Sequence, residues 1–175
     1  MNRLRPKKGQ TMEENKHELV ISRIFNTPRE ILWKYWTDPE FFKRWWGPKG
    51  FTCPYARTDF RVGGSFLYAM RSPDGKDYWS TGIYKEISPP EKIVATDSFA
   101  DERGNVVSSD YYGLKGFPME LEVSLTFKYL GEKTKLTLVH RGVATVDEKT
   151  RRDMADGWNQ SLNKLTNSLT SGSGG

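Results

Sequence analysis

The segment from Asp147 to Thr170 constrains the fold more than any other stretch of this sequence. At the helical period of roughly 100° per residue, its large apolar side chains fall in one stripe about 80° wide. A helix with a single apolar face must pack that face against a large apolar surface. Most of the preceding chain has the pattern of β-strands, so the predicted partner is a sheet. The stripe consists of Met154, Trp158, Leu162, Leu165 and Leu169.

The first part of the fold is predicted to be a strand followed by two short helices. Residues 17–25 are rich in β-branched and aromatic side chains, which is typical of strands. Thr27 before Pro28 is the signal of a capped helix start. Asp38 before a second proline repeats that signal, and the helix it introduces is predicted to end just before Gly47.

From residue 51 onward the apolar pattern changes to the period of two that is typical of strands. Tight turns separate these segments and no βαβ crossover is present, so antiparallel pairing is predicted. Pro54 indicates an edge strand or a bulge. Residues 106–118 have no clean period and predict a lid or a binding loop. The predicted strands span residues 51–60, 65–71, 77–87, 93–99, 120–129 and 135–140.

The order of these elements, β-α-α-β6-α, predicts an α+β domain with the last helix on one face of an antiparallel sheet. The domain is expected to span residues 17–170. Residues 1–16 are basic and almost free of large apolar side chains, so a disordered tail is predicted there. Residues 171–175, which contain only serine and glycine, are predicted to be a flexible tail.

The location of the protein follows from the absence of targeting patterns in the sequence. The basic N-terminus lacks the apolar segment of a secretory signal, and no apolar run is long enough to span a membrane. A cytoplasmic protein is therefore predicted. The single cysteine, Cys53, excludes an intrachain disulfide and a multi-cysteine metal site.

No residue spacing typical of a catalytic or metal site occurs in the sequence. The spacings of zinc ligands, of a nucleophile elbow and of a phosphate loop are all missing, so no catalytic residue, metal or cofactor is predicted. His140 shares the inward face of its strand with Leu136 and Leu138, and could serve as an acid or base. The preferred interpretation is a hydrogen-bonded histidine at a strand end. Whether the protein is an enzyme stays open, with a non-enzymatic role preferred.

Charged residues on the strands are expected to form solvated pairs of little energetic weight. One buried aspartate–arginine pair inside the domain would anchor the polar part of a ligand, but the sequence does not select which. The candidate aspartates are Asp59, Asp77, Asp97 and Asp110, and the candidate arginines are Arg57, Arg61 and Arg71.

Two features bear on whether the interior is solid or hollow. Aromatic residues with inward parity either fill a core or line a small-molecule cavity. Gly157 lies inside the last helix, where glycine costs roughly 1 kcal/mol relative to alanine. It is expected either to let the helix approach a strand closely or to shape a cavity.

Lysine, arginine and aromatic residues are mixed in residues 43–51, as on surfaces that bind single-stranded nucleic acid. In the alternative interpretation, Trp45 and Trp46 pack the end of a helix while Lys43 and Arg44 face water. The resemblance described next favours the second interpretation, so nucleic acid is not a predicted partner.

Five stretches together have a family resemblance: PREILWKYWTDPEFFKRWWGPKGF at residues 28–51, RVGG at 61–64 followed by Phe66, RSPDG at 71–75, GIYKEISPPEKIV at 82–94, and Gly157-Trp158 with Leu162 and Leu165. They resemble the SRPBCC superfamily, which includes the START domains and the birch-pollen allergens. Within it, the chain is similar to the domain related to the activator of the heat-shock-protein-90 ATPase. The resemblance covers residues 17–170.

This resemblance implies a helix-grip fold, in which a curved antiparallel sheet wraps around the long C-terminal helix. It also implies a cavity between sheet and helix that holds a small apolar ligand. The chain is expected to be a stand-alone domain of this kind. A chaperone-interaction module is one alternative, and a cavity enzyme such as a cyclase or hydrolase is another. Neither the identity of the ligand nor an oligomeric state is predicted.

The predicted site joins the inward-facing residues of the sheet to the last helix. The residues expected to line the cavity are Phe66, Tyr68, Met70, Trp79, Phe99, Leu121, Val123, His140, Met154 and Trp158. The residues expected at its entrance are Trp46, Phe51 and Tyr112.

Overall fold

The computed structural model of the chain describes residues 18–172. The predicted disordered tail at 1–16, His17 and residues 173–175 lie outside the described residues. The last helix continues through Gly172, two residues into the segment that was expected to be a flexible tail. No helix among the described residues is both long and apolar enough to cross a membrane.

A seven-stranded, curved antiparallel sheet forms the body of the domain, as predicted. Its strand order is β1-β7-β6-β5-β4-β3-β2, so neighbours in sequence are neighbours in the sheet except for β1, which pairs with β7. Pro54 lies in the edge strand β2, within an irregularity of its pairing to β3, as its sequence position indicated. The strands are β1 (Glu18–Phe25), β2 (Thr52–Thr58), β3 (Ser65–Arg71), β4 (Asp77–Ser88), β5 (Lys92–Ala100), β6 (Leu121–Leu130) and β7 (Lys133–Arg141).

Two short helices follow β1, namely α1 (Arg29–Thr37) and α2 (Pro39–Phe42). Asp38 caps α2 as predicted, because its side chain accepts a hydrogen bond from the backbone N–H of Glu40 at 3.0 Å. The capping role predicted for Thr27 is wrong. Pro28 occupies the N-cap position, and the Thr27 carbonyl instead accepts a 2.8 Å hydrogen bond from the Thr134 hydroxyl.

Helix α2 is a single turn that ends at Phe42, earlier than predicted. Trp45 lies in the turn that follows, and Trp46 comes directly after that turn. Trp45 is fully buried and donates its indole N–H to the carbonyl of Tyr35 at 3.0 Å. The aromatic residues of this region therefore pack the interior, which is the alternative that the sequence favoured over a nucleic-acid surface.

The last helix, α3 (Glu148–Gly172), is capped by Asp147, whose carboxylate accepts a 2.7 Å hydrogen bond from the backbone N–H of Thr150. Its predicted apolar stripe faces the sheet. The close approach proposed for Gly157 is wrong, because an added Cβ there would meet nothing within 4 Å.

The apolar stripe of α3 divides into two parts with different surroundings. Leu162 and Leu165 are fully buried in a solid core that also contains Phe25 and Phe127. Trp158, one to two turns nearer the start of the helix, is only partly buried. The interior is therefore solid beneath the C-terminal half of the helix and hollow beneath its N-terminal half, where the candidate site lies.

Candidate functional site

A cavity of about 300 Å³ lies between the concave face of the sheet and the N-terminal half of α3. Its wall is mostly aromatic and aliphatic. The structure places all the residues predicted to line a cavity on this one wall: Phe66, Tyr68, Met70, Trp79, Phe99, Leu121, Val123, His140, Met154 and Trp158. The period of two along the strands and the helical stripe are sufficient to bring these positions together.

The residues predicted to form the entrance are distributed differently. Trp46 lines the cavity, whereas Phe51 and Tyr112 do not. Both of these rings pack behind the wall against Tyr78, with ring centroids 6.3 and 5.3 Å from that of Tyr78. Tyr112 is held there because its hydroxyl accepts a 3.0 Å hydrogen bond from the backbone N–H of Trp79. It belongs to a supporting layer rather than to the lining.

The aperiodic segment 106–118 contributes to the wall through its C-terminal part. Its only helical turn spans Ser109–Tyr112. Beyond that turn, Leu114, Phe117 and Pro118 line the cavity, and Leu114 remains exposed to solvent. Sequence reasoning identified the loop as a border of the site but did not identify these residues, since an irregular segment gives no signal of side-chain direction.

Aromatic rings pack around Trp158 in the wall. Its indole is nearly parallel to that of Trp36 at a centroid distance of 6.4 Å, and edge-on to that of Trp46 at 5.2 Å. Such ring pairs contribute about 0.5–1.5 kcal/mol each beyond the burial of their area. Trp36 was missed as a lining residue because the helical pattern near residue 36 does not distinguish a core position from a wall position.

A second aromatic group lines the sheet side of the cavity, where Phe66 and Tyr68 stack with their centroids 4.4 Å apart. Phe66 lies across Gly82 of the neighbouring strand. A Cβ at Gly82 would come within 1.9 Å of the Thr96 carbonyl oxygen and 2.6 Å of the Phe66 ring. The wall can therefore take this shape only with glycine at position 82.

The tyrosine hydroxyls at this wall form a short chain. The Tyr84 hydroxyl lies 2.7 Å from that of Thr58 and 3.5 Å from that of Tyr68. Burial raises the pKa of Tyr84, and burial followed by the neighbouring Tyr84 raises that of Tyr68 well above its ordinary value. Both hydroxyls thus remain neutral hydrogen-bonding groups.

The polar end of the cavity is built from Asp97, His140 and Trp158. The indole N–H of Trp158 donates to Nδ1 of His140 at 3.4 Å, so the neutral imidazole carries its proton on Nε2. That nitrogen lies 3.2 Å from Oδ2 of Asp97. The N–H is poorly directed at the oxygen, and Nε2 is left without a well-aligned hydrogen bond.

Asp97 departs from the expected role of strand carboxylates. Asp59 and Asp77 form the predicted surface pairs, with Arg61 at 2.9 Å and Arg71 at 2.7 Å. Asp97 instead shares the inward face of its strand with Phe99 and lines the cavity. The aspartate–arginine anchor envisaged from the sequence is wrong, because no arginine or lysine is among the described residues that line this cavity.

Lys164 fixes the segment that carries Trp46 to the last helix. Its ammonium donates to the carbonyl oxygens of Phe51 at 2.8 Å and Gly47 at 3.0 Å, with those of Trp46 and Pro48 at 3.5 Å. Burial lowers the pKa of Lys164, and the nearby Cys53 acts more weakly in the opposite direction. This carbonyl cage holds one side of the cavity in place.

No group of three or more histidine, cysteine, aspartate or glutamate side chains within residues 18–172 could hold a metal ion. Cys53 is buried, and burial raises the pKa of its thiol to about 11. A thiol with such a pKa is a poor nucleophile at neutral pH, because almost none of it is thiolate.

Comparison with known proteins gives a family and a set of structural neighbours. The sequence profile of the family described as Activator of Hsp90 ATPase homolog 1-like protein matches residues 26–170. No curated protein matches the chain significantly.

Three solved bacterial structures illustrate how widely the fold is shared. A protein from Arthrobacter aurescens has 23% identity and a TM-score of 0.75, with 90% of this chain and 88% of that chain covered. One from Chromobacterium violaceum has 26% identity and a TM-score of 0.70, covering 86% and 94%. A Silicibacter pomeroyi protein that is itself named AHSA1 has 24% identity and a TM-score of 0.69, covering 87% and 97%.

Proposed function

This chain belongs to the Activator of Hsp90 ATPase homolog 1-like family, and we propose that it binds a small, largely apolar molecule in the cavity between its sheet and its last helix. The observation that carries this proposal is an aromatic wall around about 300 Å³ of space next to a core of fully buried side chains. A volume of this size lies at the lower end of the range for small-molecule pockets.

The energetic argument is that protein interiors are close-packed and that voids are costly. At about 24 cal/mol per Å³, leaving such a space unfilled forgoes several kcal/mol of packing. A ligand that fills the space recovers part of this free energy as binding free energy. Binding should therefore raise the melting temperature of the domain.

The test uses naphthalene as an apolar probe and two matched valine variants on adjacent strands. Val123 lines the cavity, whereas Val139, next to His140 on β7, faces the opposite side of the sheet, and both are partly buried. Val123→Phe should fill the cavity and abolish the melting shift and calorimetric binding of naphthalene. Val139→Phe should leave both unchanged.

The outcome that contradicts the proposal is equally specific. If the purified protein carries no bound small molecule by native mass spectrometry, and naphthalene and a lipid extract produce no melting shift, the cavity does not serve as a binding site. Equal effects of the two phenylalanine variants would place any binding outside the cavity.

A chaperone-interaction module is the second candidate function, and the family match favours it through the family's own description. In that case the surface, not the cavity, carries the activity. Stimulation of the ATPase of the cognate Hsp90 would then survive Val123→Phe but decrease on reversal of exposed charges such as Lys85→Glu. Unchanged ATPase rates with the wild-type domain would exclude this function.

An enzymatic role receives less support from the arrangement of His140. Its Nδ1 lone pair is occupied by the indole N–H of Trp158, and its Nε2 is protonated, so the neutral ring has no free lone pair to act as a general base. The hydrogen bonds of His140 thus favour a positioning role within a binding site over proton abstraction.

A further inference from the structure

Asp97 is a carboxylate placed in an otherwise apolar wall. Its side chain retains 28% exposure and lines the cavity, where it faces the aromatic and aliphatic groups that surround the free space. Across the ladder it pairs with Leu121 of β6, an apolar side chain on the same face. A carboxylate in such surroundings loses much of its hydration and requires compensation by a donor or a counter-charge.

His140 does not provide that counter-charge. The ring is 4% exposed and accepts the Trp158 indole N–H at Nδ1, an arrangement possible only for a neutral imidazole. Its Nε2–H lies beside the carboxylate at 3.2 Å and helps to position it. This arrangement leaves the Asp97 carboxylate without a cationic side chain beside it.

The remaining described residues of the wall supply no positive charge either, since none of them is lysine or arginine. The neutral polar residues of the lining include Ser80, Thr96 and Ser98. The wall also contains the rings of Trp158, Trp46 and Tyr68, and electron-rich aromatic rings are common neighbours of bound cations. The carboxylate, which has no cationic side chain beside it in the wall, and these rings together favour a positively charged group inside this cavity.

We propose that the cavity selects a small apolar or aromatic amine, whose ammonium group pairs with the carboxylate of Asp97 while its apolar part fills the aromatic space. This inference rests on the proposed function, because it specifies the chemistry of the molecule that the cavity holds. It predicts discrimination against carboxylic acids, because their carboxylate would be brought next to that of Asp97 without an intervening cation.

The test compares four probes with the same two-ring skeleton, measured by calorimetric titration at pH 7. They are 2-(aminomethyl)naphthalene, 2-naphthol, naphthalene and 2-naphthoate. The amine should bind at least about tenfold more tightly than naphthalene, as expected for a charge-assisted hydrogen bond. The naphthol should fall between the two, and 2-naphthoate should bind more weakly than naphthalene.

Asp97→Asn should reduce the affinity for the amine to that for naphthalene, and should leave the affinity for naphthalene itself unchanged. Asp153→Asn is the matched control, because Asp153 lies on the exposed surface of α3 and pairs with Lys149 at 3.7 Å. It should preserve the preference for the amine. If Asp97→Asn does not fold, as judged by its melting curve, Asp97→Ser is measured in its place with the same expectation.

The results separate this inference from the proposed function. Binding of naphthalene with no preference for the amine would overturn the inference and leave the proposed function standing. A preference for the amine that survives Asp97→Asn would also overturn it, since the cation would then bind elsewhere. Failure of all four probes to bind would overturn both.

Discussion

Trp158 provides the sharpest measure of how solid the domain is around its candidate site. In a fully packed core, replacing tryptophan by alanine costs about 3–5 kcal/mol of unfolding free energy. Trp158 is not fully packed, because part of its indole faces the cavity. Its two indole neighbours, at centroid distances of 6.4 and 5.2 Å, contribute about 0.5–1 kcal/mol each, in the lower part of the range for ring pairs, and its hydrogen bond to His140 contributes about 1 kcal/mol. Trp158→Ala should therefore cost about 2–3 kcal/mol.

Trp158→Phe is the matched variant, because it keeps an aromatic ring in the wall and removes only the indole N–H and part of the ring area. It should cost about 1 kcal/mol, mainly from the lost hydrogen bond to His140. The two variants should consequently differ by about 1–2 kcal/mol.

The assay is urea unfolding followed by far-ultraviolet circular dichroism, which avoids the fluorescence of the other tryptophans. With a denaturant dependence of about 2 kcal/mol per molar urea, Trp158→Ala should lower the midpoint by about 1–1.5 M. A loss above about 4 kcal/mol would show that the ring is packed on all sides and that the cavity is closed in solution. Equal losses in the two variants would assign the effect to the hydrogen bond instead of to the ring.

Three further predictions concern the supports of the site. Lys164→Met should lower the free energy of unfolding in urea by about 2–4 kcal/mol, because the carbonyl cage loses its donor. The control Lys149→Met, at an exposed position, should change it very little. Similar losses in both variants would contradict the role of the cage. Gly82→Ala should destabilise the domain by at least about 2 kcal/mol, because its Cβ would overlap a backbone carbonyl. Gly157→Ala should stabilise the domain by up to about 1 kcal/mol, because its Cβ would meet open space. A greater loss of stability in Gly157→Ala than in Gly82→Ala would refute the backbone positions of these two glycines. Cys53 should resist labelling by a neutral thiol reagent at pH 7 and react progressively as the pH approaches 11, because only the thiolate reacts and folding raises the thiol pKa. Because the thiol pKa is higher in the folded than in the unfolded state, the stability of the fold should decline as the pH rises from about 9 towards 11. Rapid labelling of the folded protein at pH 7 would contradict the raised pKa of Cys53.

The sequence by itself determined the architecture. Each predicted strand within the described residues matches an observed strand to within two residues at either end. The reason is that the period of two, the tight turns and the one-sided stripe of the last helix are local patterns that tertiary packing did not override. The same periodicities fix which side of a strand or helix each residue occupies, so the wall from Phe66 to Trp158 was also predictable.

The local signals failed where contacts with residues distant in sequence fix the position of a residue. Thr27 has the sequence of a helix cap, but Pro28 occupies the cap position and the Thr27 carbonyl accepts a hydrogen bond from Thr134 of a distant strand. Tyr112 was expected at an entrance, but its hydroxyl is drawn into the sheet by hydrogen bonds to β4 and β5. A Cβ at Gly157 would meet nothing within 4 Å outside its own helix backbone, although a helical glycine suggested close packing.

Only the tertiary structure decided that the interior is solid beneath Leu162 and hollow beneath Trp158, although both belong to one uninterrupted stripe of the same helix. It also decided that Asp97 lies inside beside a neutral His140, while other strand carboxylates pair with arginines on the surface. Volume and charge balance depend on how elements distant in sequence are placed around a common space. A periodic pattern gives the direction of a side chain, but it does not contain that placement.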